Sequence, residues 1–243
     1  LNTMIDKFQE VSLSGGRTAA GVVRVGDTVR RPIGPRSDFT HALLNLLEEK
    51  DLEAAPRFLG IDEKGREILS FIEGTVPHEE MNWTNDQLVK VVRLMRNFHD
   101  ATAGSELAGD KEVVCHNDIA PWNTVLENNT PKAFIDYDEA ASGNRVDDLA
   151  YFLWTFLEIG SDISADIQAT KMRTLCDAYE FTGDANVIDA ILEQQKKILS
   201  KREILANIAK DPDSKEFSES RTIKIRSEIE WVKINREILE SAS

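Results

Sequence analysis

The sequence predicts an α+β protein in which strands come first and helices follow. Three observations carry that reading. Alternating runs separated by turns are confined to the stretch before Gly74. A capping box at Thr84 opens a long helical series. Within that series, a loop and an apolar strand from Cys115 to Asp138 gather a histidine, an asparagine and two aspartates. Strands and helices segregated along the chain in this way belong to α+β folds, not to an alternating parallel sheet.

The first element is a turn, Ser12 to Arg17, between two strand-like runs. Its Gly15 and Gly16 let backbone N–H groups approach phosphate oxygens closely, and they serve a plain hairpin turn equally well. Val22 to Val25 and Thr28 to Arg31 alternate about Gly26-Asp27, which favours a hairpin. Alternation puts Arg31 on the same face as Val29, and a solvated strand edge is one reading of Arg30 and Arg31. Asp38 to Lys50 is the first helix. After Arg57 to Gly60 and a turn at Asp62 to Gly65, the run from Glu67 to Gly74 is a strand passing into a linker.

Beyond Gly74 the pattern becomes helical. Thr84-Asn85-Asp86-Gln87 has the capping-box form, and Leu88, Val91, Val92, Met95 and Phe98 follow at helical spacing, so a helix is predicted from Asn85 to His99. His99, at the end of that apolar face, reads as a packed residue and not as a ligand. Val146 to Ile159 and Ala165 to Phe181 are further helices. Asn186 to Lys210 and Phe217 to Glu240 are two long amphipathic helices with a break at Asp211-Pro212-Asp213; Ile191, Ile198 and Leu205 share one face. Two such helices can pair as a hairpin, which by itself describes an interaction module. No internal repeat interrupts the series.

The chemistry concentrates in Cys115 to Asp138. Asp118 stands two residues after His116, Asn123 five residues further on, and Asp136 at the end of the apolar run Ala133, Phe134, Ile135. A loop followed by a strand brings these side chains together. Phosphoryl transfer needs a carboxylate to receive a hydroxyl proton and oxygen ligands for magnesium, and Asp118, Asn123 and Asp136 can supply both. Asn-Asp pairs also occur in ordinary turns, but a turn does not require Asp136.

This segment resembles the signature of the aminoglycoside phosphotransferase and choline kinase family, with His116-Asn117-Asp118 standing where that family usually has His-Gly-Asp. Gly143 to Ala150 resembles its later Gly...Asp-Leu-Ala element, with Asp148 as the matching aspartate. The resemblance implies a protein-kinase-like, two-lobed fold. By that resemblance residues 1–73 would form a small nucleotide-binding β-sheet lobe, and residues 74–243 a larger, mainly helical lobe with the catalytic loop, metal site and acceptor pocket. It further implies Asp118 as catalytic base, Asn123 and Asp136 as magnesium ligands, and His116 and Asp148 as supporting residues. Gly15, Gly16 and Arg31 would meet the nucleotide's phosphates, and the backbone at Phe71 and Ile72 its purine. ATP or GTP is the implied donor and a small-molecule hydroxyl the acceptor. The sequence departs from the family pattern in two linked places. Arg31 replaces a lysine, and the first helix offers Thr40, His41 and Ala42 where a glutamate partner is expected, with Glu48 and Glu49 at its wrong end. A catalytically silent nucleotide binder is therefore the alternative to an active kinase.

Composition narrows the class. A formal charge of −14 disfavours nucleic acid as a partner and suits a cationic small substrate, although an acidic surface also serves solubility. Cys115 and Cys176 are too few for a disulfide framework. The apolar stretch Leu149 to Leu157 is far shorter than the roughly 20 residues that cross a bilayer. The first residues lack a basic-then-apolar leader pattern, so the expected compartment is the cytoplasm.

Overall fold

A computed structural model of the chain describes residues 9–13, 21–77 and 81–241. Their elements begin with β1 (Val11–Ser12), β2 (Val23–Val25), β3 (Thr28–Pro32), α1 (Ser37–Glu49), β4 (Phe58–Ile61), β5 (Arg66–Ser70) and α2 (Asn85–Thr102). There follow β6 (Val113–Cys115), a single 3₁₀ turn (Pro121–Asn123), β7 (Thr124–Glu127), β8 (Thr130–Phe134) and β9 (Ala141–Gly143). Five helices close the chain: α3 (Arg145–Phe156), α4 (Ala165–Tyr179), α5 (Val187–Ile208), α6 (Pro212–Ile234) and α7 (Arg236–Glu240). The five strands before Gly74 and the helices that close the chain agree with the α+β expectation, while four further short strands, β6 to β9, lie between α2 and α3. Gly15 and Gly16 lie outside the described residues.

The chain divides into two compact units, Leu1–Asn82 with Leu94–Gly143 and Trp83–Arg93 with Asn144–Ser243. The first contains a five-stranded antiparallel sheet in the order β1-β2-β3-β5-β4. Val25 pairs with Thr28 in the β2–β3 hairpin, leaving Gly26-Asp27 as the two-residue connection, and Gly26 takes a φ of 58° that a side chain would resist. In β5 the buried residues are Glu67 and Leu69, so the carboxylate shares the covered face of the strand with an aliphatic neighbour. Leu43, Leu44 and Leu47 give α1 a fully buried stripe. The helix is also tied to the segment after β8, for Thr40 Oγ1 donates to the Tyr137 carbonyl at 3.4 Å and Arg36 donates to that of Ala140.

The β7–β8 hairpin turns through Asn128 and Asn129, both at positive φ (49° and 62°), which is the conformation its two-residue loop demands. Past β5 the chain crosses this hairpin. Thr75 and Leu126 exchange both backbone hydrogen bonds at 2.8 Å, and a Cβ on Gly74 would lie 2.5 Å from the Leu126 carbonyl oxygen, so only glycine fits there. Met95, Phe98, Phe134 and Tyr137 fill the core of this unit, and His99 is fully buried.

The second unit is helical. At the start of α2, Thr84 and Gln87 form the reciprocal capping box expected from sequence: Thr84 N–H donates to Gln87 Oε1 at 2.9 Å, and Gln87 N–H to Thr84 Oγ1 at 3.2 Å. α5 packs against α3 and α6, burying Ile188, Ile191, Ile225 and Val232. Inside, Trp154 Nε1 donates to Glu228 Oε2 at 3.0 Å. The break between the long helices falls earlier than predicted. Asp211 is itself the N-cap of α6, accepting from Ser214 N–H at 2.8 Å, with Pro212 at the first helical position. Proline fits there because its missing donor has no intrahelical partner. No helix among the described residues is long and apolar enough to cross a membrane.

Candidate active site

β6 delivers the chain into the segment that carries the chemistry, and its pairing with β9 fixes where that segment starts. His116 is fully buried at the exit of β6. Its Nε2 lies 3.1 Å from the Ile135 carbonyl, which can only accept, so this nitrogen carries a proton. Ile135 in turn donates its N–H to the Asn123 carbonyl at 3.0 Å. One residue, Ile135, thus stitches the loop containing Asp118 and Asn123 to the strand end that carries Asp136.

Between His116 and Asp118 the backbone must reverse, and Asn117 does so at φ 62°, in the left-handed region that glycine favours and asparagine tolerates best among side-chain residues. This accounts for asparagine at the centre of His116-Asn117-Asp118. Its Nδ2 also donates to the Glu139 carbonyl at 3.0 Å. Asp136 is left-handed as well, at φ 66°, and a non-glycine residue held there stores strain of the kind that clusters at functional sites.

The 3₁₀ turn brings Asn123 back to Asp118. Asn123 Nδ2 donates to Asp118 Oδ2 at 2.8 Å and to the Asp118 carbonyl at 3.0 Å. With the amide nitrogen committed in this way, Asn123 Oδ1 is the atom left to a cation. Asp136 and Asp138 add carboxylates that retain 42% and 60% of their side-chain exposure. Burial of its protein-facing side pushes the Asp136 carboxyl up from its ordinary range, helped by the charge of Asp138 and opposed by Arg31. An all-oxygen donor set with a partly exposed, like-charged carboxylate pair fits a hard divalent cation such as magnesium.

Arg31 faces this pair from β3. Its Nη2 donates to Asp138 Oδ1 at 2.7 Å and its Nη1 to Asp136 Oδ1 at 3.4 Å. The opposite edge of the guanidinium, through Nε, donates to Glu67 Oε1 on β5, the residue directly across the strand pair. Glu67 is 1% exposed, and its second oxygen is 2.6 Å from His41 Nε2 on α1. The His41 ring lies flat against Phe58, with centroids 3.7 Å apart. Burial works to lower the Arg31 pKa, but Asp138, Glu67 and Asp136 together hold it above its ordinary value. Arg31 is thus no solvated strand edge. Glu67, His41 and Asp138 are the site neighbours that sequence reasoning missed. No local pattern marked them, since the register that sets Glu67 opposite Arg31 comes from strand pairing and not from spacing.

The remaining expected residues divide. The Phe71 N–H is committed to the Asp27 carbonyl at 2.9 Å, so a purine contact there has only the Phe71 carbonyl to use. The Arg24 guanidinium covers the Phe71 ring, 3.6 Å from its centroid, and also pairs with Glu73. Ile72 is half-buried in the same linker. Asp148 is fully buried in the first turn of α3, in the second unit.

A family model described as a phosphotransferase enzyme family matches residues 93–184. The trifolitoxin immunity protein of Rhizobium leguminosarum bv. trifolii is 31% identical over 194 residues, which span 70% of this chain and 74% of that protein. Two solved structures share the fold. The GDP complex of wild-type aminoglycoside 2'-phosphotransferase-IIIa has a TM-score of 0.57 at 13% identity, covering 92% of this chain and 94% of its own. The choline kinase of Streptococcus pneumoniae has a TM-score of 0.57 at 14% identity, covering 90% and 94%.

Proposed function

Because the chain belongs to the phosphotransferase enzyme family, we propose that it transfers the γ-phosphoryl group of ATP or GTP to a hydroxyl of a small molecule. The observation that carries this reading is the Asp118–Asn123 pair, locked by side-chain and backbone bonds and stitched through Ile135 to Asp136. Asp118 orients the acceptor hydroxyl and takes its proton. The hydrogen bond from Asn123 Nδ2 holds the carboxylate still at Oδ2. Asn123 and Asp136 would hold magnesium, which would neutralise charge developing on the phosphates. Residues 1–73 serve the nucleotide, and residues 74–243 supply the loop and the acceptor pocket. The reaction belongs in the cytoplasm, where its donors are.

Support for a nucleotide donor comes from the GDP-bound relative, and the acceptor class extends to toxins through the relative that confers trifolitoxin immunity. Phosphorylating a toxin's hydroxyl is one chemistry by which such a protein would protect its host. A catalytically silent nucleotide binder is favoured by one observation, the engagement of Arg31 with three carboxylates.

The deciding experiment is transfer of labelled γ-phosphate from ATP and GTP, with magnesium, to a panel of aminoglycosides, amino alcohols, sugars and trifolitoxin. Asp118→Asn is expected to stay folded and bind nucleotide while losing about 100- to 10,000-fold in rate. Full activity in that variant removes the assignment of the base. Nucleotide-dependent thermal stabilisation without transfer to any acceptor favours the silent reading. Asp136→Ala is expected to weaken the magnesium–nucleotide complex, read as a raised magnesium requirement for thermal stabilisation by ATP.

A further inference from the structure

We infer that Glu67 and His41 are positioning residues which hold Arg31 as the anchor for the donor's phosphates, a cation clamp rebuilt across neighbouring strands. The inference rests on the phosphotransfer reading above. In this arrangement the carboxylate comes not from the first helix but from β5, directly opposite the cation in the sheet register. The helix supplies instead an imidazole that holds the carboxylate's far oxygen.

Two features argue against an incidental cross-strand ion pair. A carboxylate only 1% exposed is costly to bury, and here both of its oxygens are engaged, one by Arg31 and the other by His41. The guanidinium is also used asymmetrically. Its Nε edge is fixed against Glu67, whereas both Nη atoms are directed at Asp136 and Asp138, the partly exposed carboxylates of the proposed metal site. A planar fork held along one edge presents the other in a single orientation, which a lone lysine ammonium on a flexible stem cannot do. His41 completes the rigidity, since its ring is stacked on Phe58 and its nitrogen cannot swing away from Glu67 without losing that contact. The Nη edge is therefore aimed at the place where phosphate oxygens accompany the metal.

The test compares affinities for Mg-ATP or Mg-GTP with those for the matching nucleoside, by calorimetry with competition for the weak ligand. His41→Phe keeps the stacked ring and removes the hydrogen bond, His41→Gln restores a nitrogen at the Nε2 position, and Glu67→Gln removes the buried charge. His41→Phe and Glu67→Gln are expected to weaken triphosphate binding about tenfold, the worth of a charge-assisted hydrogen bond, with nucleoside affinity unchanged. His41→Gln is expected to recover most of the loss. If triphosphate and nucleoside affinities fall together, or if His41→Gln binds no better than His41→Phe, the residues merely support the sheet and the inference is overturned. Unchanged triphosphate binding in both His41→Phe and Glu67→Gln overturns it as well. A wild-type protein that binds neither triphosphate fails at the earlier step and removes the phosphotransfer reading with it.

Discussion

Asn117 illustrates how one backbone angle constrains the loop. At φ 62° a β-branched side chain meets its own backbone, so Asn117→Val is expected to destabilise the protein by about 1–2 kcal/mol, whereas Asn117→Gly keeps both fold and activity. Urea denaturation of the two variants beside the wild type checks this, and equal midpoints for Val and Gly would refute it. The same residues show what was legible in the sequence. Asp118, Asn123 and Asp136 were marked by spacing within a short segment, because a loop and the strand after it are local geometry. Glu67 and His41 were not marked. Their meeting with Arg31 depends on the β3–β5 register and on the placement of α1, both of which are tertiary facts. A glutamate flanked by Arg66 and Ile68 reads from sequence as one more charge on a strand.

Helices were legible wherever a cap and an apolar period coincided. The box at Thr84 and Gln87 fixed the start of α2, while α6 begins at Pro212, ahead of the expected Phe217, because its first turn is polar and carries no periodic signal. Asp211→Ala is expected to cost about 1 kcal/mol by removing the cap on Ser214 N–H, seen as a lower thermal midpoint. Where α6 meets Trp154 of α3, burial pushes the Glu228 carboxyl up from its ordinary value of 4.5, with the Trp154 hydrogen bond opposing the shift. The folded state therefore holds a proton at Glu228 more tightly than the unfolded chain does. Its stabilising contribution is full below pH 4.5 and is lost as pH rises through the higher folded value. Glu228→Gln still offers an oxygen to Trp154 and cannot ionise. Its melting temperature is expected to gain on the wild type's as pH rises from acid to neutral, and a constant difference would show that Glu228 does not titrate in that window.

Over the whole molecule, a charge of −14 acts as a long-range field on whatever approaches. If the acceptor is a cation, its KM is expected to climb with ionic strength while that of a neutral acceptor stays flat, because exposed charges are screened within about 10 Å at 0.1 M salt. Steady-state kinetics at two salt concentrations separates the cases. At the same scale, the reciprocal bonds between Thr75 and Leu126, closed over by Gly74, fasten the chain leaving the five-stranded sheet to the strand that starts beside Asn123. Protection of these two amides from deuterium exchange is therefore expected to be lost together, since separating the two backbones opens both hydrogen bonds at once. A polypeptide nicked near residue 75 would then stay joined to its partner strand, so that limited proteolysis there cuts the covalent chain without releasing its two ends.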